Sequence, residues 1–285
     1  MTRRQDLKHS RHSLGEIRDI MNSMKSLAYM ETRKLDRFLD AQHAVVESLE
    51  TVATDFLNFY PETLPEMDEM TSVYLIVGTE RGFCGDLNQA LFRYLEALLE
   101  RQSVDEIMLI TTGRKLHGLM EQDKRVRCQI EGASIVEEVT HVLSRIVHEL
   151  SALQADYGML CLYAFYHGQE GIIKKQLLPP FQECLHRSSS FCHPPVLNLA
   201  PEVFILELTE QYLFAAMHEL LYVALMSENH HRMIHLEGAV KHLDDELENM
   251  TRQYNVLRQE EIIEEIEIIL LSSASAEEKL RQLKF

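Results

Sequence analysis

Three groups of residues in this chain of 285 have types and spacings that chemistry could use. The first is GTERGFCGDLNQALF, where Gly78, Gly82 and Gly85 precede a helical pattern. A glycine-rich turn between a strand and a helix is where backbone N–H groups cradle phosphate. The spacing here matches neither the dinucleotide fingerprint nor the phosphate loop with its Lys-Ser/Thr pair, and Glu80 and Asp86 put carboxylates where a phosphate would sit. The turn therefore reads as structural. Gly82 and Gly85 allow a tight bend, Asp86 or Asn88 helps to begin the helix, and Cys84 is a small buried thiol. No cofactor and no catalytic residue is expected.

The second group is Cys184, His186, Cys192 and His193, four candidate zinc ligands within ten residues, set against the alternative of a Ser/Pro-containing loop with incidental thiols. The third is His231 and His235, an i, i+4 pair on a helix; with no third His or Cys on that face, the pair reads as packed or exposed histidines. The methionines are scattered, so Met21, Met24 and Met30 read as adaptable packing. Five cysteines at irregular spacing, with no leading apolar segment, point to reduced thiols in a cytoplasmic setting. A net charge of −17 argues against non-specific nucleic-acid binding, and no run of about 18 apolar residues exists to span a membrane.

The elements that hold these residues fall into a middle and two ends. From Pro201 onward there is no further proline and a single glycine, Gly238, so the last 85 residues can form one helix. Leu236, Val240, Leu243, Leu247, Met250, Tyr254 and Leu257 recur in steps of four and three, the seam of a coiled coil. A helix from roughly Glu207 to Leu271 would be about 100 Å long. Residues up to Tyr60 contain no proline and only Gly15, and Leu35, Phe38, Gln42, Val45, Leu49, Val52, Phe56 and Phe59 alternate similarly, preceded by Ile17, Ile20, Met24 and Leu27. Through residue 40 the first end carries nine bases (Arg3, Arg4, Lys8, Arg11, Arg18, Lys25, Arg33, Lys34 and Arg37) against six acids (Asp6, Glu16, Asp19, Glu31, Asp36 and Asp40). Residues 237 to 267 carry ten acids (Glu237, Asp244, Asp245, Glu246, Glu248, Glu260, Glu261, Glu264, Glu265 and Glu267) against Lys241, Arg252 and Arg258. Opposite charge favours the two ends as an intramolecular pair, against the alternative of two separately solvated faces.

Between them, a polar connector at Pro61–Met70 leads into alternating strands and helices. The strands are expected at Ser72–Val77, Ile107–Thr111, Val126–Ile130 and Tyr157–Phe165, with an edge strand at Ile172–Leu178 stopped by Pro179 and Pro180. The helices are expected after Leu87, at Arg114–Met120 and at Ile135–Leu153, which predicts a parallel sheet with covering helices. The fold class is α/β: terminal helices over 1–60 and 201–285 in a long antiparallel coiled coil, with a Rossmann-like parallel-sheet domain inserted over 72–200.

The chain resembles the gamma subunit of F-type ATP synthases at four separated motifs in the family's order. VGTERGFCGDLNQALF, with Gly82, Cys84, Gly85, Leu87 and Asn88, is similar to the family's head-domain turn. SMKSLAYMETRK aligns Met24, Lys25, Leu27, Ala28, Arg33 and Lys34 with its amino-terminal motif; SENHHRMIHLEGA aligns Ser227, Glu228, Arg232 and Met233; and YNVLRQEEIIEEIEII aligns Tyr254, Asn255, Arg258, Gln259, Ile262, Glu265, Ile266 and Ile269. The chain departs from the pattern at Asp86, Ile263, Ile268, Ser272 and Ser273, which marks a divergent branch.

The resemblance implies a non-catalytic rotor. Its coiled coil would turn inside a hexamer of alpha and beta subunits while its head meets the epsilon subunit and the ring of c subunits, peripheral to the cytoplasmic face of the membrane. Membrane association is then indirect and the ion, proton or sodium, binds elsewhere. It implies hexamer contacts through Met24, Lys25, Arg258, Gln259 and Glu265. From the residues alone, a structural coiled-coil adaptor with an α/β head and a small-molecule enzyme using the glycine turn stay open.

Overall fold

The computed structural model describes residues 3–64, 70–101, 107–187 and 191–282. In chain order these form helix α1 (Arg3–Leu57), strand β1 (Thr71–Val77), α2 (Leu87–Arg101), β2 (Ile107–Thr112), α3 (Arg114–Met120), β3 (Val126–Ile130), α4 (Val139–Tyr157), β4 (Leu160–His167), β5 (Ile172–Leu178) and α5 (Pro201–Gln282). The chain divides into two compact units, one of Met1–Ser26 with Leu236–Phe285 and one of Leu27–His235.

The larger unit is built on a five-stranded sheet in the order β3-β2-β1-β4-β5. The first four strands are parallel and β5 pairs antiparallel with β4. β1 is central, so both of its faces are covered and its sequence is a continuous apolar run, not an alternating one. Val73, Leu75 and Val77 face a core completed by Val139, Leu143 and Ile146 of α4, by Phe56 of α1 and by Ala216 and Leu220 of α5. Tyr74 and Ile76 face the opposite core with Leu91 and Leu95 of α2 and Leu116 and Met120 of α3. At about 1.5–3 kcal/mol for each fully buried large aliphatic side chain, these two layers dominate the unit's stability.

Several boundaries differ from the sequence expectation; the last helix, expected over roughly Glu207–Leu271, runs Pro201–Gln282. The strand expected at Tyr157–Phe165 starts at Leu160, because α4 runs on to Tyr157 and Gly158, at φ 79°, ends it by returning its N–H to the Gln154 carbonyl at 2.9 Å. The helix expected from Ile135 begins as a short 3-10 turn, Val136–Glu138, before α4 proper. Part of the connector expected at Pro61–Met70, residues 65–69, lies outside the described residues.

The amino-terminal stripe also needs correction. In the larger unit the covered side of α1 is Leu35, Leu39, Gln42, Val46, Leu49, Ala53 and Phe56, whereas Phe38, Val45 and Val52 are 49%, 47% and 44% exposed. Both sets alternate in threes and fours. Close helix packing selects the small Ala53, which is fully buried, while a count of large apolar residues selects Val52 beside it.

In the smaller unit the covered positions of α1 include Arg4, Leu7, Arg11, Leu14, Arg18, Met21 and the pair Met24 and Lys25; Ile17 and Ile20 are exposed. On α5 the stripe is as read from sequence: Leu236 and Val240 are buried, and Leu243, Leu247, Met250, Tyr254 and Leu257 are half-buried. Two ion pairs set the direction. Arg4 Nε lies 2.9 Å from Glu261 and Arg18 Nε 2.9 Å from Asp244, so the partner number falls as the α1 number rises, and the pair is antiparallel. The arginine stems extend the apolar stripe where α1 lacks leucines, and the Arg11 guanidinium lies 5.3 Å from the Tyr254 ring centroid.

Candidate functional site

The chemistry-bearing residues converge at the carboxyl end of β1. In a doubly wound sheet, ligands enter where the strand order reverses, here between β1, which leads to α2 on one face, and β4, which is reached from α4 on the other. The segment after β1 runs Gly78 to Asp86, with positive φ at Phe83 (63°) and Gly85 (68°). Beside it, Gly113, at the end of β2, has φ 97°, and a β-carbon there would lie 2.7 Å from the carbonyl oxygens of Gly78 and Thr79. That glycine is what lets the two strand ends approach.

The backbone N–H groups of this turn do point at an anion, and the anion belongs to the chain itself. The carboxylate of Glu228, on α5, accepts the N–H of Glu80 and the N–H of Arg81, each at 3.1 Å. Arg232, one helical turn further along α5, donates to the same carboxylate and also to Gly82 O at 3.1 Å, to Asn229 Oδ1 at 2.7 Å and to Cys84 Sγ at 3.3 Å. Both side chains are almost completely buried, at 4% and 5% exposure. Burial pushes the Glu228 carboxyl upward; Arg232 and the two backbone N–H groups oppose that push. Ser227 Oγ donates to Gly168 O at 3.2 Å, so α5 is tied to the ends of both β1 and β4.

Glu80 turns inward as well. It accepts the backbone N–H of Gly132 at 2.7 Å, the backbone N–H of Arg114 at 3.1 Å and the Arg114 guanidinium, which holds that arginine above its usual range. The turn thus joins β1, β2, the end of β3 and α5 through two buried carboxylates.

Of the sequence-predicted motif residues, Cys84 is buried and its thiol is pushed up to about 12, first by burial and then by the nearby Glu228, so it is a poor nucleophile. Asn88 does not begin the helix; its side chain closes the turn, with Oδ1 accepting the Thr79 N–H at 3.0 Å and Nδ2 donating to Thr79 Oγ1 at 2.8 Å. The backbone carbonyl of Asp86 takes the Ala90 N–H at 2.8 Å and starts α2, and its carboxylate pairs with exposed Arg93. Leu87 is buried and its carbonyl meets His167 Nε2 at 2.8 Å; burial holds His167 below its usual range. A β-carbon added at Gly85 would lie 3.5 Å from the His235 ring, and one added at Gly82 would lie 3.7 Å from the Lys115 side chain.

The five expected hexamer contacts do not form a site among themselves. Met24 and Lys25 are half-buried on α1, and Arg258, Gln259 and Glu265 are exposed on α5, all in the smaller unit. His231 Nδ1 faces the Ser227 carbonyl at 2.9 Å. Cys184 is buried against Glu50, Cys192 is exposed, and the His186 side chain lies outside the described residues. Among the described residues no cluster of three or more metal-ligating side chains occurs.

Sequence reasoning named Ser227, Glu228 and Arg232 only as motif matches and took Glu80 as a charge that would repel a phosphate. The available signal was a Glu and an Arg four apart on one helix, a spacing that brings the two charges together on one face.

These features define an α/β protein in which a doubly wound head is inserted between two terminal helices, its would-be ligand crevice closed by the second of them. The family model described as ATP synthase matches residues 3–276, and the chain belongs to that family, among the gamma chains. It is 23% identical to the ATP synthase gamma chain of Caldanaerobacter subterraneus subsp. tengcongensis, covering 92% of this chain and 96% of that one. It is 25% identical to that of Mycoplasmoides gallisepticum, covering 96% and 100%. In fold it is similar to a chain of the Euglena gracilis mitochondrial ATP synthase solved as OSCP/F1/c-ring, with TM-score 0.61, 15% identity and coverage of 95% and 94%. A chain of the same organism's ATP synthase rotor gives TM-score 0.58 at 16% identity, covering 91% and 98%.

Proposed function

We propose that this chain is the central-stalk rotor of an F-type ATP synthase, a subunit without catalytic residues that couples ion flow through a membrane sector to ATP synthesis or hydrolysis in a hexamer of alpha and beta subunits. The observation that carries the reading is the family match over residues 3–276, which takes in both terminal helices and the head. The helix over 1–60, the head over 72–200 and the helix over 201–285 are read as shaft, foot and shaft. The foot would meet the epsilon subunit and the c-subunit ring, peripheral to the cytoplasmic face of the membrane. No described helix is long and apolar enough to cross a membrane. Met24, Lys25, Arg258, Gln259 and Glu265 are assigned to hexamer contacts. Exposure of the last three supports that assignment, since each side chain is free to meet a partner.

The physical requirement is asymmetry. A shaft that touched three catalytic sites equally could shift none of them, so coupling needs differential contact energy as it turns. Reconstitution tests the proposal: addition of the chain to alpha and beta subunits should activate ATP hydrolysis, and the chain alone should have none. Arg258→Ala with Gln259→Ala should lower coupled turnover while leaving the thermal unfolding of the isolated chain unchanged. Undiminished coupled turnover would remove those two residues from the mechanism, and failure to activate hydrolysis at all would remove the rotor reading.

A further inference from the structure

The larger unit contains a cavity of about 610 Å³ that the glycine turn does not touch. It lies between the short 3-10 turn Pro61–Thr63 that follows α1, the second half of α4, the Pro179–Pro180 corner after β5 and the first turns of α5. Its walls are mainly apolar, formed by Leu64, Val147, Leu150, Leu160, Ile205 and Leu213. Ser151, Gln154 and Thr209 offer polar groups; among the described residues the charged ones along it are the acids Glu62 and Glu202, and no Lys, Arg or His lines it. The volume falls in the range of about 300–1,000 Å³ typical of small-molecule sites, which are mostly apolar with a few polar groups to fix orientation.

We propose that this cavity binds a single-chain amphiphile with a cationic head, its hydrocarbon body against the leucine walls and its charge beside Glu62 and Glu202. The sign follows from the wall itself. An anionic head would meet two carboxylates with no compensating base, and a cationic head meets two counter-charges. Both acids are exposed, so each contributes as a surface ion pair does, and the hydrocarbon supplies most of the affinity. The inference does not depend on the rotor reading.

Titration calorimetry on the full chain with octylammonium, 1-octanol and octanoate, each below its critical micelle concentration, tests it. Octylammonium should bind saturably at one site, 1-octanol about fivefold more weakly by the loss of roughly 1 kcal/mol of ion pairing, and octanoate more weakly still. Binding should shift the methyl resonances of Val147, Leu150 and Leu213. Glu62→Gln with Glu202→Gln should bring octylammonium to the affinity of 1-octanol and leave 1-octanol unchanged. Leu206→Lys, at a lining position 61% exposed and so tolerant of a charge, should weaken octylammonium without weakening octanoate. Equal affinity for the three probes, shifts confined to methyls elsewhere, or binding of none of them would each overturn the proposal.

Discussion

Glu228→Gln is the most informative single change in the head. The carboxylate it replaces accepts two backbone N–H groups at 3.1 Å and the Arg232 guanidinium, all within a region where both side chains are about 5% exposed or less. The amide keeps the size but offers one acceptor oxygen and an N–H₂ group that opposes any of the three donors it faces. Arg232 then keeps only neutral partners, Gly82 O, Asn229 Oδ1 and Cys84 Sγ. Removing one partner of a buried pair costs about 3–5 kcal/mol because the remaining charge is uncompensated, against a total domain stability of about 5–15 kcal/mol. Thermal unfolding should therefore show a large loss, and amide hydrogen exchange in the Glu80–Arg81 pair should accelerate first, since the two N–H groups are left with one acceptor oxygen in place of two. Arg232→Met in the Glu228→Gln background should cost far less than Arg232→Met alone, a coupling of at least about 2 kcal/mol. Costs that simply add, with unchanged exchange at Glu80 and Arg81, would refute the view that this pair holds the turn.

Other outcomes are expected. Gly113→Ala should destabilise the head by about 2–3 kcal/mol in thermal unfolding, because its β-carbon would meet two carbonyl oxygens at 2.7 Å in a backbone conformation side chains rarely adopt. Thr111→Val should stabilise it by roughly 1 kcal/mol, since Thr111 Oγ1 is buried without a hydrogen-bond partner and an isosteric methyl removes the unmet group. His43 Nδ1 donates a hydrogen bond to the Glu219 carboxylate at 2.8 Å, which raises the imidazole above its ordinary 6.5. Its contribution should be fully present below pH 6.5 and fade as pH rises through the raised folded-state value. Because the imidazole is largely exposed, that contribution should stay below about 1 kcal/mol, and His43→Gln should flatten the pH profile of unfolding.

The central strands were legible because they are short apolar runs followed by glycines, and the more polar edge strands Val126–Ile130 and Ile172–Leu178, bounded by Gly132 and by Pro179, also lie where the sequence puts them. The α5 stripe was legible because each of its positions holds a large apolar residue. On α1 the same rule misleads, since the covered side includes Ala28, Ala53 and arginine stems, and large neighbours such as Ile20 and Val52 face outward. Tyr157 was misassigned because the end of an amphipathic helix and the start of a buried strand look alike until the positive φ of Gly158 separates them. The site was only half legible. Residues near one another in sequence, Gly82 to Asn88, announce a turn, but its bond to Glu228 spans 148 positions, and no local spacing encodes a contact at that range.

Glu228 has a further consequence as a tethered competitor. A dissolved phosphate seeking the N–H groups of Glu80 and Arg81 contends with a carboxylate carried on the same backbone, whose effective concentration is on the order of millimolar or more and does not fall on dilution. An external anion could reach those N–H groups only after that one side chain had been shortened or removed.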